Sequence, residues 1–592
     1  MKSFIKMFLA ALLAFVVLCV IVFFILTAVV GGMVNPSEEI TLRQNTILTV
    51  DLSEPLMEQK RIDPLNAVLQ QTSITANGLH DVVTLIGKAA SDDHIKGIYL
   101  KLGENPNGWG TTEALRKALL DFKQSGKFIY AYGDIIDQPA YYIAVMADKI
   151  FLNPQGMLDF RGFSMQTIYV KGALDRLEIQ PQVFYNGKFK SATEPLRLTR
   201  MSDENRLQAS AYLGDLYAHF LEGIAWRRNV DTATLFRYAN EGMIRNAGDA
   251  LRYKLVDGLK YHDEVMSALR ERVGFSPSER LRFVSLTRYE QAVGNTAASG
   301  AADQKVAVLY AQGDIITGDG KGDGEDVRIA SEKYIHLIHK LWSDSSVKAV
   351  VLRVNSPGGS ALAADEIWRE LQLVKKDKPV VVSMGDYAAS GGYYISCMAD
   401  SIFAEPNTLT GSIGVFGIVP NLQTFFNDKL GVTFDGVKTA QYADAGTMSR
   451  PLTEAEKQFI QQSIDSVYAT FKHRVADGRH LPESVVDSIA QGRVWSGRAA
   501  QRIGLVDRLG GLNDAIACAA RMAGISGYSL HEYPETNTSL QQLLRRVSGS
   551  RKTIMLKEAL GSDNYRIFQQ LETATRSSGG IQARLPYTII IR

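Results

Sequence analysis

Residues 386–414 read DYAASGGYYISCMADSIFAEPNTLTGSIG, and this stretch decides the fold. A small-residue turn, Ala388-Ala389-Ser390-Gly391-Gly392, opens a short apolar helix through Tyr393, Tyr394 and Met398. A strand-like run, Ser401-Ile402-Phe403-Ala404, comes next, then a second turn, Thr410-Gly411-Ser412-Ile413-Gly414. Much the same text stands earlier, at residues 133–162: GDIIDQPAYYIAVMADKIFLNPQGMLDFRG. Gly133 matches Gly385, Tyr141 matches Tyr393, Asp148 matches Asp400 and Gly162 matches Gly414, all at one constant spacing. The chain is a tandem duplication, so the differences between its copies carry functional information.

Outward from this stretch, apolar strands at residues 46–52, 95–102 and 127–132 alternate with helical patterns at 81–90 and 112–122. The order returns as strands at 306–310, 347–354 and 380–384 with helices at 329–342 and 364–374. Such alternation predicts an α/β fold of βαβ units with a largely parallel sheet in each copy. Residues 293–304, VGNTAASGAADQ, are small and polar and form a natural boundary. The copies are expected over 46–285 and 305–530, with a polar tail at 531–592 to which no function is assigned.

Residues 7–34 contain no charged side chain. About 20 apolar residues span a bilayer, whereas a secretory signal has an apolar region of about 7–15. Residues 1–34 are therefore expected to be an uncleaved transmembrane anchor, a cleaved signal being the alternative. Lys2 and Lys6 before the span and Glu38-Glu39 after it favour an N-inside orientation. In a Gram-negative cell this makes a single-pass inner-membrane protein with its domains in the periplasm.

Of the 592 residues 46% are hydrophobic and 22% charged, and the net charge is +2. That balance argues against nucleic acid as a partner. Of three cysteines, Cys19 lies in the apolar N-terminus, and Cys397 and Cys518 read as buried small hydrophobes. His336 and His339 have no acidic or cysteine companions, so no metal is expected. Residues 318–327, GDGKGDGEDV, lack the GK[ST] ending of a phosphate loop, and no cofactor is expected.

Ser412 aligns with Phe160, so this hydroxyl exists only in the second copy. Asn355-Ser356-Pro357-Gly358-Gly359-Ser360 closes a strand, while its counterpart, GENPNGWG at 103–110, has no adjacent glycine pair. Gly358 and Gly359 can turn backbone N–H groups into a cleft as an oxyanion hole, with the Ile413 N–H as a further donor. Lys190, in FKSA, falls at Ala443 of the second copy. A lysine acts as a base only when neutral, which requires desolvation to lower a pKa of about 10.4. Burial between the copies would supply it, and a Ser412–Lys190 dyad across the repeats is expected.

Ser390, which has Gln138 as its counterpart, competes for the nucleophile's place, as do Ser356 and Ser360; Lys188 competes for the base. The paired tyrosines and Asp148/Asp400 occur in both copies and read as packing residues. His219 and His473 flank suitable helices, but nothing ties either to Ser412.

The second copy, with NSPGGS, AASGGYY and LTGSIGVFG, resembles the signal peptide peptidase A (protease IV) family, and FKSATEP resembles that family's lysine motif. The resemblance implies tandem Clp protease/crotonase-like domains in the long, membrane-anchored, two-repeat form, and a homotetramer. It implies a serine endopeptidase that hydrolyses leftover signal peptides and other short apolar peptides, with Ser412 as nucleophile and Lys190 as general base. The setting of Ser390 resembles the serine position of Clp protease. Two other readings stand beside it: a crotonase-type acyl-CoA or thioester enzyme, and a non-catalytic membrane scaffold.

Overall fold

The structure, a computed structural model, describes residues 42–62, 74–294, 303–320, 327–535 and 580–585, with scattered positions between 6 and 21. The expected anchor lies for the most part outside them. Among the described residues no helix is long and apolar enough to cross a membrane.

Each copy builds one sheet. In the first, the strands Thr46–Asp51, Ile95–Lys101, Phe128–Ile136 and Lys149–Leu158 pair in parallel, with Gly258–Leu259 and Arg282–Ser285 at the edges. In the second, Lys305–Gln312, Val347–Ser356 and Val380–Ala389 form the parallel centre, and Val380–Ala389 passes on to both Ser401–Ala404 and Leu409–Gly411. Ser529–Tyr533 pairs beside Lys305–Gln312, so the second sheet extends past residue 530. The central strands read as near-continuous apolar runs because helices cover both of their faces. Val347–Ser356 and Val380–Ala389 are accordingly buried along almost their whole length. On the helix Leu79–Ser91 the buried residues Leu79, Val82, Leu85, Ile86 and Ala89 follow the 3.6-residue period.

The duplicated packing residues do the same job twice. Tyr141 donates its hydroxyl hydrogen to the Leu255 carbonyl at 2.7 Å, and Tyr393 to the Leu505 carbonyl at 2.9 Å. Asp148 accepts from the Ile129 N–H and Asp400 from the Val380 N–H, each at 2.8 Å. The tyrosines tie the short central helix to the chain ahead of the edge strands Gly258–Leu259 and Arg508–Leu509, and the aspartates tie the chain after that helix to a central strand, the same bonds in each copy.

A third sheet belongs to both copies. Its order is Arg328–Ala330, Asp314–Ile316, Gly358–Ser360, Gln582–Arg584, Val415–Asn421, Gln180–Asn186. Its last pair is an antiparallel ladder running from Val415 opposite Asn186 to Asn421 opposite Gln180, which sews the first copy onto the second.

A buried ion pair adds a second seam. Arg353, on the central strand of the second copy, donates to Glu58 at 2.8 Å, to Ser383 Oγ at 2.8 Å and to the Met384 carbonyl at 2.9 Å. Asn355 also donates to Glu58 at 2.8 Å. Removing one partner of such a pair strands a charge and costs about 3–5 kcal/mol, whereas replacing both is far milder. Glu58→Gln is therefore expected to lower the unfolding free energy read by urea titration by about that amount, and Glu58→Gln/Arg353→Met to recover most of it. A single-variant loss below about 0.5 kcal/mol would refute this role for the pair.

Candidate functional site

The inter-copy ladder delivers the lysine. Gln180–Asn186 ends in a turn at Gly187, whose φ of +101° a side chain would strain. From that turn the Phe189 N–H donates to the Gln491 carbonyl at 2.8 Å and the Lys190 N–H to the Gly187 carbonyl at 3.0 Å. Gly492, at φ +73°, comes so close that a Cβ there would lie 2.7 Å from the Lys190 backbone nitrogen. Gln208, on the first-copy helix Asp203–Arg228, donates to the Phe189 carbonyl at 2.9 Å and to Ser191 Oγ at 3.1 Å. Its own oxygen accepts from the Val494 N–H at 3.1 Å. The lysine loop is thus clamped from both repeats.

Lys190 is 1% exposed, and its Nζ lies 2.8 Å from Ser390 Oγ, 3.1 Å from Ser412 Oγ and 3.2 Å from the Ser412 carbonyl oxygen. Burial pushes its pKa well below the ordinary lysine value. A neutral amine has two hydrogens and one lone pair. Donating the hydrogens to the two Ser412 oxygens leaves the lone pair free to accept the Ser390 O–H. Lys188 behaves differently: it is exposed, with its ammonium 5.3 Å from the centre of the Phe189 ring. The turn at Gly187 breaks the alternation that would have put both lysines on one face. Ala443, the second-copy counterpart of Lys190, is an exposed turn residue.

Both hydroxyls are fully buried, and both residues have left-handed φ values, 55° at Ser390 and 51° at Ser412. Ser390 joins the strand Val380–Ala389 to the helix Gly391–Tyr394 with φ 55° and ψ −112°, a sparsely populated conformation of the kind found at strand-to-helix nucleophile turns. Its N–H donates to the Gly411 carbonyl at 2.8 Å. The Ser412 N–H donates to the Arg493 carbonyl at 2.7 Å.

The glycine pair lies against Ser390. A Cβ on Gly391 would come within 3.2 Å of both Gly358 Cα and the Gly359 backbone nitrogen. The Gly358 N–H donates to Ser356 Oγ at 3.2 Å, and Gly359 pairs with Ala583 across the third sheet. Gly391 opens a helix, where N–H groups have no acceptor within the helix. Its N–H sits next to the glycine pair, a donor that motif reading missed because it looked around Ser412.

The other candidates have structural duties. Ser356 Oγ donates to the Gly313 carbonyl at 2.7 Å, and Ser360 caps the helix Ala361–Val374. His219 sits 3.1 Å from Glu113 and 2.7 Å from Arg498. His473 bonds Glu483 at 2.8 Å on the surface. Gln208 and Gly492 also escaped sequence reading: glutamine in a long helix looks solvent-facing, and a lone glycine carries no motif.

The profile of Peptidase family S49 matches twice, over residues 121–276 and 372–526, and that of Clp protease over 304–409. Protease 4 of Salmonella typhi is 38% identical over 496 residues, 82% of this chain and 78% of that protein. The chloroplastic serine protease SPPA of Arabidopsis thaliana is 31% identical over 92% of this chain and 78% of its own length. A putative signal peptide peptidase SppA of Enterococcus faecium is 35% identical over 41% of this chain and 71% of its own. The thioester-enzyme and scaffold readings give way. The chain belongs to peptidase family S49, in its two-repeat SppA form, and is a serine peptidase.

Proposed function

We propose that this protein is a membrane-anchored endopeptidase that hydrolyses short apolar peptides such as signal-peptide remnants, using a serine and a neutral lysine drawn from different repeats. The observation that carries this reading is one buried amine within hydrogen-bond reach of two buried hydroxyls, one of which borders a glycine pair. The anchor rests on residues 7–34 and the periplasmic setting on the charges that flank them, while the homotetramer follows the family resemblance.

Ser412 is the nucleophile expected from the copy comparison, but the geometry favours Ser390. It has the shorter contact to Nζ, the strained strand-to-helix turn, and the glycine pair beside it. In this assignment Lys190 takes the Ser390 proton as Oγ attacks the peptide carbonyl. The N–H groups of Gly359 and Gly391 hold the oxyanion. Lys190 then protonates the leaving amine, and water, deprotonated by the same nitrogen, releases the acyl group. Ser412 acts as a positioning residue that orients the amine through its hydroxyl and carbonyl.

Separate variants test the assignment on an apolar peptide substrate. Ser390→Ala and Lys190→Met are each expected to lower kcat by roughly 10³-fold or more. Ser412→Ala removes one hydrogen bond to the base, so about a 10–100-fold loss is expected. A serine-directed phosphonate should attach at position 390, located by peptide mass mapping. The reverse pattern, with the adduct and the larger loss at 412, would return the attack to Ser412.

The lysine also sets two pH dependences. The base works when unprotonated, so kcat/KM should rise with pH through an inflection well below the ordinary lysine value of 10.5. Stability follows the same proton. Between the lowered native pKa and the unfolded value near 10.4, the unfolded chain binds more protons, so stability rises with pH there. Lys190→Met removes this dependence. Its gain in unfolding free energy over the parent should be largest below the native pKa and shrink as pH nears 10, as read by urea titration across pH 6–10.

A further inference from the structure

Gln208 does more than brace the lysine loop: it is the near end of a chain of buried amides that begins at a carboxylate. Glu194, four residues after Lys190 and 2% exposed, accepts the Ser202 hydroxyl on one oxygen and the Asn205 side-chain amide on the other, the latter at 2.8 Å. Ser202 is the N-cap of the helix Asp203–Arg228, so this carboxylate sits at the positive end of that helix. Asn205 and Gln208 are both buried and stand one turn apart on the helix, and Asn205 Oδ1 accepts from Gln208 Nε2 at 3.2 Å. The amide nitrogen of Gln208 then reaches the Phe189 carbonyl and Ser191 Oγ, on either side of Lys190, and its oxygen takes the Val494 N–H.

Each amide in this chain can face only one way. An ionised carboxylate only accepts, so it turns the Asn205 nitrogen toward itself and leaves Oδ1 for Gln208. From the other side, a backbone carbonyl at Phe189 and a backbone N–H at Val494 fix Gln208 with its nitrogen toward the lysine loop. The two demands agree at the Asn205–Gln208 bond. Val494 opens the strand Val494–Ser496, which pairs antiparallel with Leu409–Gly411, Gly411 lying opposite Val494. The Gly411 carbonyl holds the Ser390 N–H, and the Arg493 carbonyl, next to Val494, holds the Ser412 N–H. One glutamine therefore ties the backbone that carries the amine to the backbone that carries both hydroxyls.

The second repeat shows the same helix start with no lysine to serve. At the spacing that pairs Tyr217 with Tyr468 and Phe220 with Phe471, Ser202 falls on Thr453, Asn205 on Glu456 and Gln208 on Phe459. Thr453 and Glu456 cap the helix Glu454–Arg479 reciprocally, Arg450 pairs with Glu456 at 2.7 Å, and Phe459 is 71% exposed. A cap needs no more than this. The first repeat has two uncharged amides in place of that acid and that ring, and they lead to the lysine loop. We propose that Glu194, Asn205 and Gln208 form a positioning relay for the general base, Gln208 being the residue that sets the Lys190 amine against the serine hydroxyls. The proposal deepens the peptidase reading above and rests on it. The charged groups around the loop have other partners. Glu194 is bonded as described, Arg197 donates to Thr193 Oγ1 at 3.2 Å, Lys188 lies beside the Phe189 ring, and Arg493 lies over the rings of Phe189 and Trp495. The relay thus reaches the base through neutral groups and brings it no charge that would hold or repel the proton.

Full-length variants acting on a synthetic leucine-rich peptide test the relay. Gln208→Met keeps the length of the side chain and removes both ends of its amide. Its kcat should fall about 10–100-fold with KM within about twofold of the parent, the loss that a misplacement of about 1 Å brings. A loosened loop also lets water reach the amine, so the inflection of kcat/KM should move up toward the ordinary lysine value, and the deficit should shrink as pH passes it. Asn205→Ala leaves Gln208 its two backbone partners and should shift both readouts the same way by less, about 3–10-fold in kcat; it decides the matter if Gln208→Met fails to fold. Glu456→Gln weakens the corresponding cap of the second repeat, and should lower the unfolding free energy while leaving kcat and the inflection at the parent's values. Parent kcat and inflection in Gln208→Met, whatever its stability, would overturn the relay, and so would an equal loss of kcat in Glu456→Gln. Lys190→Met separates this from the reading beneath it. If that variant cuts as fast as the parent, the base assignment falls and the relay with it; if it is inactive beside a parent-like Gln208→Met, the relay alone is removed.

Discussion

One antiparallel ladder governs this molecule: Val415–Asn421 against Gln180–Asn186. The first strand starts three residues after Ser412, and the second ends four residues before Lys190. Register in such a ladder is strict, because a slip of one residue turns every side chain to the opposite face. Here a slip would also move the lysine by about 3.4 Å, farther than a hydrogen bond tolerates. The contacts of Gly492, Gln491 and Gln208 with the turn then act as stops on a position the ladder has already set.

That placement costs stability, and the cost is tied to the chemistry. An amine removed from water loses hydration that three neutral oxygens only partly replace. An acidic neighbour would relieve the cost, yet it would also hold the proton on the nitrogen. The amine is lowered by burial alone, with carbonyl and hydroxyl oxygens as its contacts. Two folded repeats, each with its own buried core, hold the strained loop in place between them. A single repeat would leave one wall of this cavity open to solvent, and the lysine would regain its charge.

How much of this could be read from residues alone depends on the range of the interaction. The parallel sheets were legible because doubly buried strands are apolar runs, as in VVLRV and KFIYAY, and their helices keep a clear period. Lys190 was legible because the other copy lacks it. The third sheet was not: Gln180–Asn186 mixes polar and apolar residues, and its partner lies more than 200 residues away. The sequence Gln582-Ala583-Arg584 is too short for any pattern, so the tail appeared featureless. The choice between Ser390 and Ser412 was equally hidden, since both stand beside glycines in turns. The contact to Nζ, the strand-to-helix turn and the glycine pair folded against Ser390 are features of the folded chain, absent from any local pattern.

The first repeat shows what the same backbone becomes once the chemistry is gone. Gln138 takes the place of Ser390 and spends both ends of its amide on Gly162, donating to its carbonyl and accepting its N–H, each at 3.0 Å. In the second repeat the corresponding Gly414 carbonyl makes only a 3.4 Å contact with the Ser390 hydroxyl, which leaves that group available to the lysine. Phe160, in the place of Ser412, is buried edge-on to Tyr141 and close to Phe220, and Phe163 and Trp109 fill the space beyond. Aromatic packing there stabilises the fold and needs no polar partner. The two repeats therefore divide the work along a physical line. One has filled its site with aromatic rings and lends a lysine outward, while the other keeps a buried, strained and polar turn that the neighbour's support makes tolerable.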